Sequence, residues 1–267
     1  MNKYLAITRI RFSNSLQYRA AAVAGMVTQF AWGFMEIFAF SAFYKANPAA
    51  FPMEFSQTVS YIWIQQAFLA LFMMWFFESE IFSSVANGSI AYELARPVDL
   101  YNRWFCQSAA NRLARAALRC MPILLVAFIV PQPYRMSLPP SLGQFVLFLL
   151  SASLSFCVVI SFSMLIYIST FYTLSPIGIR LIAAVLSDFL AGATIPLPFF
   201  PEPFRQIAQW LPFASMQNMP LRVYSGNIAG AEAVQGVLIQ IAWFVVLVII
   251  GKLLMKNALK KVVVQGG

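Results

Sequence analysis

Histidine is absent from all 267 residues, and only three cysteines occur. Without imidazole, Ser-His-Asp and Cys-His nucleophile systems, histidine-ligated metals and imidazole proton relays are excluded. Cys106, Cys120 and Cys157 are odd in number, far apart and set in or beside apolar stretches. That placement argues against a disulfide framework or a zinc site and for packed free thiols. Charge is scarce as well: Asp, Glu, Lys and Arg make up 10% of the chain, against about 25% in a soluble domain. No Gly-x-x-x-x-Gly-Lys-Ser/Thr segment is present, so the chain has no such loop to cradle the phosphates of ATP.

What the chain has in excess is apolar surface, with 61% hydrophobic residues and a mean hydropathy of +0.75. These values point to an all-α integral membrane protein. The length accommodates about six helical spans of roughly 20 residues each and no second soluble domain. Six apolar runs are legible, over residues 20–44, 59–77, 107–130, 142–171, 177–197 and 234–255. The net charge of +9 does not indicate a nucleic-acid partner, because the basic residues are not clustered with stacking aromatics. No internal repeat stands out. Ser151, Ala152 and Ser155 in the fourth run suit close helix packing.

Basic residues orient the spans, since Lys and Arg accumulate on the cytoplasmic side. One side receives Lys3, Arg9, Arg11 and Arg19, then Arg96, Arg103, Arg112, Arg115 and Arg119, then Arg180, and finally Lys252, Lys256, Lys260 and Lys261. The other side receives only Lys45, Arg135, Arg205 and Arg222. The fourteen-to-four split predicts a cytoplasmic basic segment at 1–19, a six-span region at 20–255 and a cytoplasmic tail at 256–267. The first 19 residues have no compact apolar core with a cleavage site and do not read as a signal peptide. On a helical projection their apolar face is poorly defined, so their basic charge is the clearer signal.

Two connections carry most of the functional information. Six of the fifteen prolines fall between Pro196 and Pro220, in a stretch too apolar for a solvated loop and too proline-rich for a straight helix. Such backbone is tolerated near lipid only when it packs in protein or lines a cavity, which predicts a re-entrant hairpin on the extracellular side between spans five and six. Within it, Pro203 suits a helix start, and Phe204, Ile207, Ala208 and Leu211 fall on one face opposite Arg205, Gln206 and Gln209. A surface anchor with Trp210 at the headgroups is the plainer alternative. The second connection, 78–99, is broken by Asn87-Gly88 into two short helices. The latter carries Glu93 and Arg96 and ends before Pro97. It suits docking on a soluble partner, against the plainer reading of a solvated connector.

The run Asn87-Gly-Ser-Ile-Ala-Tyr-Glu-Leu-Ala-Arg-Pro-Val98 resembles the loop between spans two and three in permeases of ATP-binding-cassette exporters of the ABC-2 type. Leu190-Ala-Gly-Ala-Thr-Ile-Pro196, followed by Pro203-Phe204 and Trp210-Leu-Pro212, resembles that family's signature after span five. The resemblance covers essentially the whole chain and implies a single transmembrane permease domain in a bacterial plasma membrane. It further implies a second permease subunit, identical or related, and separate nucleotide-binding ATPase subunits that hold ATP and Mg, with no cofactor in this chain. By the same resemblance Gly88, Ile90, Glu93, Leu94, Arg96 and Pro97 belong to a coupling helix. Pro196, Pro198, Pro201, Glu202, Pro203, Phe204, Ile207, Leu211 and Pro212 belong to the external gate.

Charges inside the spans are weighed separately. A buried carboxylate in a bilayer costs several kcal/mol unless paired or hydrated, so Glu36 and Asp188 read either as residues of a pathway or subunit interface or as hydrogen-bonded packing groups. Arg112, Arg115 and Arg119 recur on one face of the third helix. They either line a cytoplasmic vestibule or snorkel to lipid phosphates. Two other function classes stay open: an ATP-independent secondary transporter using Glu36 or Asp188 as a proton site, and a nonconducting membrane assembly protein. The topology is checked by single cysteines at Asn47, Gln132 and Gln206 in a cysteine-free background. They are expected to react with an impermeant thiol reagent in intact cells, and labelling near Asn87 instead inverts the orientation.

Overall fold

The computed structural model describes residues 3–17, 19–173 and 176–260, which contain helices and connections and no strand. Lys261 and the rest of the expected tail beyond residue 260 lie outside the described residues, as do residues 1, 2 and 18 of the basic N-terminal segment. The chain opens with α1 (Lys3–Ser15) and turns into α2 (Arg19–Ala46). A single 3-10 turn (Pro48–Ala50) leads to α3 (Phe55–Ala67), α4 (Leu69–Phe72), α5 (Ser79–Ala86) and α6 (Ile90–Leu94). Next come α7 (Leu100–Ile129), α8 (Leu142–Ser169) and α9 (Ile177–Leu190). A second 3-10 turn (Leu197–Phe199), α10 (Phe204–Trp210), α11 (Pro212–Met216) and α12 (Asn218–Ser225) precede α13 (Gly230–Leu259).

Among the described residues, three helices are long and apolar enough to cross a membrane individually: α2 from Ala20, α8 and α13. The helix α7 has 30 residues but interrupts its apolar surface with four arginines. At 13 and 14 residues, α3 and α9 reach roughly 20 Å, short of a hydrocarbon core of about 30 Å. Three of the apolar runs therefore differ from their expected form. The second is not one helix over 59–77, because it breaks at Phe68 and leaves helical geometry at Met73, with ψ 140°. The third helix begins at Leu100, before the apolar run, where the Asp99 carboxylate accepts from Asn102 N at 2.8 Å as an N-cap.

The fifth run stops at Leu190 instead of continuing to 197. Gly192 takes φ +76°, Gly192 N donates to Phe189 O, and Ala193 N donates to Asp188 O at 3.0 Å. This paired pattern closes a helix C-terminus around a left-handed residue, a geometry that favours glycine. A Cβ at Gly192 would lie 2.9 Å from both the Leu197 side chain and the Tyr61 hydroxyl.

The long helices α8 and α13 pack along each other, α1 lies along α7, and α12 wedges between α3 and α8. The connections gather at two ends. At the basic end, Lys3 Nζ donates to Pro97 O, Arg11 pairs with Glu80, and the Arg180 guanidinium lies over the rings of Phe77 and Phe82. At the proline end, the rings of Phe40, Phe51 and Phe199 meet at 4.8 to 6.3 Å and join α2 to the proline segment. Each end has its own apolar cluster, one around Trp104 and Tyr167 and one around Trp63 and Phe148.

The interrupted helices create carbonyls with no partner in their own backbone, and side chains from neighbouring helices supply the donors. Arg112, only 1% exposed, sends Nη1 to Ala70 O (3.2 Å) and Met73 O (2.7 Å), and Nη2 to Phe76 O (2.9 Å). It thus terminates α4 with a positive charge at the negative end of a helix. Tyr61 and Gln65 of α3 cap the end of α9 by donating to Gly192 O and Ala193 O, each at 2.9 Å. Gln240 of α13 donates to Ser215 O at the end of α11, and Gln144 of α8 donates to Val223 O in the last turn of α12 and to Ile228 O beyond it.

Replacing Arg112 with Met is expected to leave three buried carbonyls without donors, at about 1–3 kcal/mol each. Arg112→Lys should rescue this only in part, because one ammonium cannot reproduce the guanidinium fork. Gly192→Ala should cost roughly 1–2 kcal/mol for the left-handed backbone, with the close approach of its Cβ to Leu197 and Tyr61 added to that. Thermal melting of the purified protein ranks the three variants, and an unchanged melting temperature for Arg112→Met refutes the capping role.

Candidate functional site

At the basic end, α5 and α6 are separated by Gly88, which adopts φ +76° in open space, and the Asn87 side chain accepts from Ser89 N at 3.0 Å. The helix α6 buries Ile90 and ends before Pro97. Its two expected docking charges point in different directions. Arg96 and Pro97 are exposed with Gly88 and Leu94, whereas Glu93 accepts from Trp104 Nε1 at 2.9 Å and lies 3.5 Å from Arg103. Glu93 thus fastens α6 to α7 and does not belong to the outer surface. The largest outward side chain is one the sequence reading passed over, Tyr92, at 78% exposed.

At the proline end, Pro196, Pro198 and Pro212 are buried, whereas Pro201, Glu202 and Pro203 form an exposed tip. Pro203 sits at the N-cap of α10 with helical dihedrals. Arg205 bonds to Glu202 and donates to Pro198 O, so the tip carboxylate is already neutralised by a neighbour. The expected apolar face of this helix is divided. Ala208 is fully buried, Leu211 is half-buried, and Phe204 and Ile207 point outward, Ile207 being 61% exposed. Arg205 and Gln209 flank Ala208 on the protein side, because Arg205 is drawn inward by the Pro198 carbonyl. Phe204 stacks on Phe200, which stacks on Phe189 of α9.

Beneath the proline segment lies a polar cluster that the apolar-run reading missed. Gln65 donates to Ala193 O, accepts from Gln217 Nε2 at 3.1 Å, and lies 3.5 Å from the Glu36 carboxylate. Gln66 Nε2 is also 3.5 Å from Glu36. The adjacent Gln65-Gln66 pair inside an apolar run was the available signal, and attention to formal charge alone passes over it. Glu36 is therefore held in an amide cradle that also touches the base of the hairpin. Asp188 does not join it: among the described residues its side chain has no hydrogen-bond or ion-pair partner. It sits on α9 beside exposed Leu181, Ile182 and Val185.

The three arginines of α7 also separate. Arg112 is the buried cap already described, which removes it from any vestibule. Arg115 and Arg119 line a cleft of about 520 Å³ between α1, α2, α5 and α7, together with Arg11, Glu78 and Glu80. Arg115 lies over the Phe76 ring and 4.0 Å from Glu78, while Arg119 Nη2 donates to Ala21 O. Burial pushes the Glu78 carboxyl above its usual range, against the opposing pull of Arg115 and the hydrogen bond from Asn111.

A family model described as ABC-2 family transporter protein matches residues 30–266. Comparison with curated proteins yields no match. A match to residues 30–266 of the 267-residue chain establishes that the chain belongs to the ABC-2 family of transporter proteins.

Proposed function

We propose that the chain is the permease subunit of an ATP-driven exporter in a bacterial inner membrane. In this reading it crosses six times with both termini cytoplasmic and pairs with a second permease subunit. Nucleotide-binding ATPase subunits beneath it hold ATP and Mg. Family membership supports the permease role, and the absence of a phosphate-cradling loop is consistent with a separate ATPase. The α9 face, with exposed Leu181, Ile182 and Val185 on the helix that carries Asp188, suits contact with the second permease.

The observation that carries the reading is a continuous set of polar fastenings between the two ends. Glu93 ties α6 to Arg103 and Trp104 of α7. Arg112 of α7 grips the end of α4, and α3 before it holds the hairpin base through Tyr61 and Gln65. A push on α6 from closing ATPases is thereby delivered to α7 as a rigid load and passed through α3 to the hairpin. Opening at the proline end then exposes the path between the two permeases.

Docking is tested by copurifying the cognate ATPase with variants. Tyr92→Ala and Arg96→Glu are each expected to weaken the complex by roughly 2 kcal/mol, the scale of an interface hot spot. Glu93→Gln should instead lower the melting temperature of the isolated subunit. Unchanged copurification with both surface variants refutes α6 as the docking element.

The hairpin is tested by Tyr61→Phe, which removes one donor from a buried carbonyl at about 1–3 kcal/mol. The complex is expected to assemble normally while its ATPase activity becomes less dependent on substrate. Parental flux and coupling in both Tyr61→Phe and Gln65→Leu would show the segment to be a passive anchor.

A further inference from the structure

We infer that the cleft between α1, α2 and α7 is a binding site for a phosphate group, presented by the headgroup of a membrane phospholipid. Three guanidiniums, of Arg11, Arg115 and Arg119, and two carboxylates, of Glu78 and Glu80, line this space of about 520 Å³. Arg11 is matched to Glu80 at 2.6 Å, and Glu80 is further satisfied by Gln107. Glu78 alone faces the other two arginines, so the cleft carries one uncompensated positive charge. A phosphodiester carries one negative charge and fits that balance.

The donors are also unspent. Among the described residues Arg115 makes no hydrogen bond, having only the 4.0 Å approach to Glu78 and the Phe76 ring. Arg119 uses Nη2 on Ala21 O, while its buried Nε has no acceptor. The two residues stand four apart on α7, one turn from each other on the same face. Planar guanidinium forks in that arrangement match phosphate oxygens. Gly25 of α2 is what lets Arg119 lie there, since a Cβ at that position would collide with the guanidinium.

Two features favour a lipid over a soluble phosphate. Arg119 meets α2 at Ala21, within its first turn, and α2 has 28 residues, more than the roughly 20 that span the hydrocarbon. The cleft therefore lies at headgroup level. Beyond it both walls turn to exposed apolar side chains, Val23 and Val27 on α2 and Met121 and Leu125 on α7, along which acyl chains can lie. The inference depends on membrane insertion of α2 and not on an ATPase partner, so it and the transport reading fail separately.

The test is native mass spectrometry of the delipidated full chain titrated with dioleoylphosphatidylglycerol, with diolein as the phosphate-free control and inorganic phosphate as competitor. Saturable binding of the phospholipid but not of diolein is expected. Arg115→Gln and Arg119→Gln should each weaken it roughly tenfold, and Lys256→Gln on α13 should not. Glu78→Gln removes the opposing carboxylate and should tighten binding several-fold, a gain that misfolding cannot produce. Equal binding of diolein, or unaltered affinity in the arginine and Glu78 variants, overturns the site. Displacement of the lipid by inorganic phosphate at equal concentration overturns the lipid source and assigns the cleft to a soluble phosphate.

Discussion

A buried carbonyl that has lost its helical partner has no water to turn to, and this constraint organises the molecule. The chain interrupts its helices after α4, α9, α11 and α12. Each interruption liberates acceptors whose burial costs several kcal/mol if nothing donates to them. The solution is the same in each case: a side chain on a neighbouring helix reaches across, Arg112 to α4, Tyr61 and Gln65 to α9, Gln240 to α11 and Gln144 to α12. Helix breaks, usually sites of weakness, become the places where separate helices are fastened. The packing of α3 between α2, α7 and α12 follows from this, since α3 supplies one cap and precedes a segment that receives another.

These fastenings explain why isolated polar residues occur in a chain with so few charges. Arg112 is among the most buried side chains in the molecule, and its charge is compensated chiefly by carbonyl dipoles. Ser163 adds a further contact at 3.4 Å from α8, so the α4 terminus, α7 and α8 meet at one guanidinium. Gln240 likewise collects Ser151, Ser155 and Ser215 into one buried knot between α8, α11 and α13. Small serines at 151 and 155 allow the helices to approach, and the glutamine then satisfies the polar atoms brought inside.

What the sequence made legible is what it encodes locally. Asn87-Gly88 breaks the connection where left-handed backbone is needed, Pro203 stands at the start of α10, and the proline cluster marks the departure from regular helix. The break after α3 has no such mark: the stretch from 59 to 77 contains neither glycine nor proline. Where helical geometry ends, at Met73 after α4, the matching feature is a tertiary one, the Arg112 guanidinium on Ala70 O, Met73 O and Phe76 O, some 40 positions away in sequence. The early start of α7 was hidden for the opposite reason, since its first turns are polar and an apolar-run reading begins only where the membrane does. For the site residues, helical projection put Phe204, Ile207, Ala208 and Leu211 on one face, but the structure divides that face and only Ala208 is fully buried. Arg205 turns its own flank to protein by bonding to Pro198 O.

The two capped breaks differ in a way that bears on motion. The α4 terminus is held by a charged donor with three carbonyl acceptors, whereas the α9 terminus is held by one phenol and one amide, both neutral. Charge-assisted hydrogen bonds are roughly twice as strong as neutral ones, so in the proposed transport cycle a load passing along α7 and α3 would meet a stiff joint first and a compliant one second. Beyond the compliant joint the hairpin has Gly192 at its root, an exposed tip and an apolar outer side on Phe204 and Ile207. Gln65 is shared there among Ala193 O, Gln217 and Glu36, so a hairpin that withdraws leaves the glutamine an alternative acceptor already within reach. On the proposed transport reading, withdrawal of the hairpin exchanges one acceptor of Gln65 for another, which lowers the cost at that joint and favours displacement at the proline end over the basic end.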